Sequence, residues 1–229
     1  MILNYTIFGE RNSGTNYLRF VLDRILNVPH TSLYGFKHWY IRDHHPRCRQ
    51  NVTTDNECLK SIRDSHHTLF VLIVRNPIDW IAAMYRRPYH IPESSRTSIV
   101  DFINQPHMSY VRNLPPNHTA TSKAPWLIDP KTKNYFIEEA NNILDLRNVK
   151  NDHFYALKDV VRYFKLVRLE HIQEDVKNIS EEYNNKTMKW PEVFRDYIPP
   201  NSYQVDDMVR RHIFTNLDNY IDNTFYIEN

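Results

Sequence analysis

Apolar residues crowd the segment Leu3 to Phe8, which stops at Gly9 and predicts a short strand. From Gly14 to Asn27 they thin out to Tyr17, Leu18, Val21, Leu22 and Ile25, the three-and-four spacing of a helix with one buried face. Strand, turn and helix thus follow one another, and GERNSGTNYL, residues 9–18, contains the turn. Leu33 to Trp39 predicts a second strand. Leu69 to Val74, LFVLIV, is an unbroken apolar run, as a central parallel strand covered on both faces requires. Arg75-Asn76-Pro77 ends it, and the proline suits the first turn of a helix over 78–87, where a missing N–H costs nothing.

Residues 88–134 break this rhythm. They are rich in Pro, Ser, Asn and His and predict a long excursion with one short helix near 97–104. Tyr135–Val149 and Asn151–Tyr163 read as two helices, Phe164–Leu169 as a strand, and 171–183 and 204–217 as further helices. Strands alternating with helices predict an α/β fold around a parallel sheet. No repeat or composition break divides the chain, so residues 1–229 are expected to form a single domain.

Composition narrows the classes. A hydrophobic fraction of 41% with 13% aromatics predicts a folded globule. The net charge of +2 is too small to bind nucleic acid by bulk attraction, so any anionic ligand must be met by locally placed basic groups. No run approaches the ~20 apolar residues of a membrane span. The first ten residues, MILNYTIFGE, are too polar for a signal-peptide core, so a cytoplasmic location is expected. Cys48 and Cys58 are too few for a disulfide framework, and a bridge between them would need an oxidising compartment. With His44, His45, His66 and His67 they could ligate zinc, but no CxxC or HxxxH spacing supports a site, and no metal is expected. The N-x-S/T sequons at Asn51, Asn117, Asn178 and Asn185 read as chance in so asparagine-rich a chain.

Glycine changes the picture. The chain has only three, and two of them, Gly9 and Gly14, bracket the first turn. A glycine-bearing turn from strand to helix exposes backbone N–H groups at the positive end of the helix and suits phosphate- or sulfate-like anions. The Gly9-x4-Gly14 spacing equals that of a Walker A loop, in which a lysine and a Ser/Thr would follow Gly14. Thr15 and Asn16 stand there instead, so γ-phosphoryl transfer would lack its main charge stabilisation. The turn reads as an anion cradle of another kind.

N-S-G-T-N at 12–16 resembles the 5′-phosphosulfate loop, K/R-S-G-T/S-T/N, of the sulfotransferases that use 3′-phosphoadenosine 5′-phosphosulfate (PAPS). Arg75-Asn76-Pro77, within LFVLIVRNPIDWIAAMY, is similar to that family's R-D/N-P motif at the end of a buried strand. KLVRLEHIQED at 165–175 resembles its late strand and turn, which supports the sheet, and the likeness runs over roughly residues 3–180. It implies a three-layer α/β/α, P-loop-containing sulfotransferase-like fold. It also implies that Arg11, Asn12, Ser13, Gly14, Thr15 and Asn16 hold the phosphosulfate, while Arg75 holds the 3′-phosphate. Two positions depart from the family pattern. Asn12 stands where the loop lysine or arginine belongs, with Arg11 beside it, and Ala83 replaces a phosphate-binding serine, with Arg86 and Arg87 as possible substitutes.

Sulfuryl transfer needs a base for the acceptor and a cation for the leaving phosphate. Cytosolic members of the family carry a K-x-H motif; by resemblance, His38 is the base and Lys37 stands near the bridging oxygen. Adjacent residues of an extended strand point to opposite faces, so both can serve only if the strand ends between them. Glu10 is the competing base. In 88–134, Tyr89, His90, Arg96, His107, Tyr110, Arg112, His118, Lys123 and Trp126 mix aromatic faces with basic groups, the composition of an acceptor-binding lid or of a surface excursion. The expected activity is sulfuryl transfer from PAPS to a hydroxyl or amine of a carbohydrate, small molecule or protein. The alternatives are a P-loop nucleotide kinase or NTPase and a degenerate, non-catalytic nucleotide-binding module; Asn12 and Ala83 favour the last.

Overall fold

The computed structural model describes residues 1–34, 37–38, 62–88, 98–111, 127–128, 135–140, 142–183 and 205–217. Strand β1 (Asn4–Gly9) leads through a turn into helix α1 (Thr15–Ile25), and β2 (Thr68–Val74) leads into α2 (Pro77–Arg86). After α3 (Ile99–Asn104) come β3 (His107–Val111), β4 (Leu127–Ile128) and β5 (Tyr135–Ala140). Helix α4 (Ile143–Tyr155), strand β6 (Tyr163–Arg168), α5 (Ile172–Tyr183) and α6 (Asp207–Thr215) complete the described elements.

β1, β2 and β6 form a parallel sheet in the order β1-β2-β6, so the protein is of the α/β class. β2 is central and buried along its whole length, as its unbroken apolar run requires. Side chains alternate between faces. Tyr5, Ile7, Leu69, Val71, Ile73 and Val167 pack on Leu18, Val21 and Leu22 of α1 and on Val176 and Ile179 of α5. Phe8, Phe70, Leu72 and Val74 meet Phe154 of α4 and Leu157 on the opposite face. Helices therefore cover both sides of the sheet. Each Leu or Ile buried in this way contributes roughly 1.5–3 kcal/mol, and five of the eleven residues of α1 are buried. That fixes the helix, and with it the turn that starts it.

Three expectations are corrected. Leu33–Trp39 is no strand where it is described: residues 33–34 and 37–38 form turns. The edge of β1 is met by an isolated parallel bridge around His30, with Tyr5 N–H on the Pro29 carbonyl (3.1 Å) and Thr31 N–H on the Tyr5 carbonyl (2.7 Å), and by Gly9 N–H on the Lys37 carbonyl (3.1 Å). Tyr135–Val149 is not one helix. Its first six residues are β5, which pairs antiparallel with β3 and β4 in a second sheet that the chain's periodicity did not announce. Asn142 then caps α4, its side chain accepting from Leu144 N–H (2.8 Å) and Asp145 N–H (3.0 Å). Nor does a helix fill 151–163, because α4 runs through 151 to Tyr155 and a 3₁₀ turn, Ala156–Asp159, precedes β6.

The short helix in the excursion is α3, and His107 and Tyr110 lie on the backbone of β3. Tyr89, His90, Arg96, Arg112, His118, Lys123 and Trp126 lie outside the described residues, as do His44, His45, Cys48 and Cys58. Among the described residues no group of His, Cys, Asp and Glu could hold a metal ion, and no helix is long and apolar enough to cross a membrane.

One contact ties β1 to α1 and gives the fold a pH signature. Tyr5 is fully buried and donates its hydroxyl to Asp23 Oδ1. Burial first, then the Asp23 carboxylate, pushes the phenol pKa well above its ordinary value. The folded state therefore keeps a proton that the unfolded chain loses above pH ~10. This contribution to stability is present below that pH and lost as pH rises from it. Urea midpoints measured from pH 9 to 11 are expected to fall less steeply in Tyr5→Phe than in the wild type; equal slopes would remove the assignment.

Candidate functional site at the carboxyl ends of β1 and β2

β1 and β2 run parallel with Gly9 opposite Ile73, so the turns that follow them lie side by side. In open α/β sheets this carboxyl edge is where ligands bind. Gly9 is required by crowding: a Cβ there would stand 2.6 Å from both the Ile73 carbonyl and Ser13 Oγ. Asn12 (φ 60°) and Gly14 (φ 95°) adopt the left-handed conformation, which asparagine and glycine tolerate best. Gly14 is the N-cap of α1, so no capping side chain satisfies the first turn, and no acidic residue lies in that turn. The positive end of the helix dipole thus meets no acidic side chain within its own first turn.

Four consecutive carbonyls of this turn each accept a hydrogen bond. Gly9 O accepts from His38 Nδ1 at 2.8 Å. Glu10 O accepts from Ser13 N–H (3.1 Å) and Ser13 Oγ (2.6 Å). Arg11 O accepts from the Trp80 indole N–H at 2.6 Å, and Asn12 O from Arg75 Nη1 at 3.1 Å. Because C=O and the following N–H of a trans peptide point in opposite directions, holding the carbonyls also sets the N–H directions. The Asn12 side chain reaches away from the turn to the far end of α2, donating to Arg87 O and Met84 Sδ, each at 3.0 Å.

The residues expected to carry chemistry fall in two groups. Lys37 and His38 both converge on the turn, and because they sit in a turn themselves, adjacency does not send them to opposite faces. Lys37 Nζ donates to Asn16 Oδ1 at the start of α1. Burial, with Arg19 adding to it, lowers the Lys37 pKa from that of an ordinary lysine. A carbonyl oxygen only accepts, so His38 Nδ1 carries a proton and Nε2 holds the lone pair of the neutral ring.

Glu10 and Arg11 are buried instead, at 3% and 1% exposure. One Glu10 oxygen accepts the Arg11 N–H at 2.6 Å and lies 4.0 Å from Arg11 Nε. The Glu10 carboxylate thus serves the turn's own backbone. Arg75 is also buried. Ala83 O accepts from Arg87 N–H at 2.9 Å, and Arg86 Nε turns back onto Ala82 O at 3.3 Å.

Three contributors were not legible as such in the chain. Trp80 is one. Arg147 of α4 is another: 1% exposed, it donates to the Arg75 carbonyl and sits 5.0 Å from the centre of the Trp80 ring. Its signal is a charged residue on the apolar stripe Ile143, Arg147, Phe154. Glu170, just after β6, accepts the Asn76 N–H at 2.7 Å and ties the third resembling segment to the second. Among the described residues that are at least nine-tenths buried, Arg11, Arg75, Arg147 and Lys150 are cationic, against Glu10 and Asp175. Asp175 is engaged by Arg168 at 2.9 and 3.2 Å. Arg11, Arg75 and Arg147 stand at the two turns, with the Glu10 carboxylate among them. No family model, curated protein or solved structure matches this chain.

Proposed function

We propose that the protein is a PAPS-dependent sulfotransferase acting on a hydroxyl or amine acceptor. One observation carries this reading. The NSGTN turn and the Arg-Asn-Pro turn lie against each other at the ends of adjacent parallel strands, with Arg75 Nη1 3.1 Å from Asn12 O. The residues fit a phosphosulfate: an N-terminus of α1 without a side-chain cap, a turn with fixed carbonyls, and the buried arginines Arg11 and Arg75 at that turn.

When bound, PAPS supplies the activated sulfuryl group. The backbone N–H groups of Asn12 and of Gly14 to Asn16 receive its 5′ end at the start of α1, while the Ser13 N–H stays on the Glu10 carbonyl. Arg75 keeps the 3′-phosphate role that the resemblance assigns and has a second duty in holding Asn12. Arg11, beside Glu10, acts from behind the turn. Lys37 is the cation at its mouth, where it steadies charge on the leaving phosphate. His38, oriented through Nδ1, takes the acceptor proton at Nε2. The mixed aromatic and basic residues of 88–134 favour a sugar acceptor.

The test is thermal stabilisation by adenosine 3′,5′-bisphosphate (PAP) against Mg-ATP. Ligand at 100 times its Kd stabilises by about 2.7 kcal/mol, or roughly 5–10 °C for a chain of this size. The expected result is a shift with PAP alone. A shift with Mg-ATP alone would mean a nucleotide kinase or NTPase and overturn the reading. His38→Ala is expected to keep the PAP shift and lose transfer of labelled sulfate to a panel of sugars; losing both would refute its role as base.

A further inference from the structure

We infer that Trp80 is a positioning residue for the anion turn, an inference that rests on the PAPS reading. Trp80 is fully buried in α2, three residues after Pro77, and its indole N–H donates to Arg11 O at 2.6 Å. That carbonyl belongs to the same peptide unit as the Asn12 N–H. Drawing the oxygen towards α2 turns the N–H the opposite way, away from α2. Asn12 is left-handed, as is Gly14 two residues on. The neighbouring donors are committed within the turn, Arg11 N–H to the Glu10 carboxylate and Ser13 N–H to the Glu10 carbonyl, so the N–H that the indole directs towards an anion is that of Asn12. The indole thus sets the direction of a donor it does not touch.

The indole is itself held. Arg147 lies 5.0 Å from its ring centre and donates to the Arg75 carbonyl, so α4 reaches both turns from behind, one through Trp80 and the other directly. The Asn12 amide, bound to Arg87 O at 3.0 Å, adds a second tie from the turn to α2. α2 therefore supports the cradle at both its start and its end. In a Walker A loop a lysine side chain grips the ligand. Here a tryptophan shapes the backbone that does so.

The experiment compares Trp80→Phe, which keeps a ring under Arg147 but removes the N–H, with Ile81→Ala on the same helix. Ile81 is fully buried and packs into the α2–α4 cluster, so its truncation destabilises α2 without removing a donor to the turn. Kd for PAP is measured by calorimetry, and amide hydrogen exchange is followed over residues 10–16. Trp80→Phe is expected to weaken PAP about tenfold, the worth of one buried hydrogen bond, and to speed exchange within 10–16. Ile81→Ala is expected to lower the melting temperature and leave Kd unchanged.

Equal Kd in Trp80→Phe and wild type, or equal weakening in both variants, overturns the role. A wild type that binds PAP separates that failure from failure of the functional reading. A wild type that binds neither PAP nor inorganic pyrophosphate removes the reading and this role together. Should Trp80→Phe not fold, the indole N–H resonance of wild-type Trp80 decides. It is expected to shift and gain protection when PAP is added, and an unmoved resonance overturns the proposal.

Discussion

Replacing Arg75 with alanine is expected to weaken PAP binding by roughly 10- to 100-fold, the cost of one or two charge-assisted hydrogen bonds. That loss erases the thermal shift at concentrations that saturate the wild type. Arg75 is 6% exposed, at the end of a strand buried along its length, so its charge is held where water screens it poorly. Its Nη1 also supplies Asn12 O, so the variant disturbs the turn as well as removing a cation. Stability should drop by about 1–3 kcal/mol for the carbonyl that loses this donor. The Arg147 contact should survive, because it is made to the backbone carbonyl of residue 75. Arg75→Lys separates the two duties, since lysine keeps the charge without the planar fork. Partial recovery of the PAP shift is expected there. A full PAP shift in Arg75→Ala, with only stability lost, would reduce Arg75 to a prop for the turn and remove the 3′-phosphate assignment.

The half of the protein that positions this site is written in local sequence. The run LFVLIV can only be a strand with both faces covered, and β2 is central and buried. Leu18, Val21, Leu22 and Ile25 mark the buried face of α1, and Pro77 sits at the first position of α2, after an Asn76 cap that accepts from Ile78 N–H at 3.0 Å. The second sheet is another matter. In YFIEEA the first three residues favour a strand and the last three a helix, and periodicity cannot choose across six residues. Pairing with His107–Val111 chooses, and that contact is distant in sequence. The same holds at the site. The turn and the Arg-Asn-Pro segment are visible as motifs. Two of the four donors that fix the turn's carbonyls, Ser13 and Arg75, belong to those motifs; the other two arrive from Trp80 of α2 and from His38, and the chain's spacing does not announce those contacts. His38 and Lys37 were legible as chemistry but not as geometry, because residues 37–38 form a turn where a strand was expected.

Gly9→Ala is expected to be the most damaging single-methyl change among the described residues, lowering stability by about 3 kcal/mol or more. The added Cβ would lie 2.6 Å from the Ile73 carbonyl, 2.6 Å from Ser13 Oγ and 2.8 Å from Ile73 Cγ2. The first of these is backbone in the central strand, locked by register to β1 on one side and β6 on the other, and cannot give way. The second could swing aside only by abandoning its 2.6 Å bond to Glu10 O, one of the four that set the turn. Gly14 meets a softer obstacle. Its Cβ would come 2.9 Å from Leu169 Cδ1, the tip of a side chain that can rotate, so the cost there is mainly the left-handed φ of 95°, about 1–2 kcal/mol. Urea midpoints should therefore rank wild type, Gly14→Ala, Gly9→Ala. The reverse order would mean that the sheet yields more easily than the helix cap, and that Gly9 is not what brings the turn down onto β2. Under the expected order, the two glycines this chain places around its first turn do different work. One lets two strand ends touch, and the other lets a helix begin with its N–H groups turned outward.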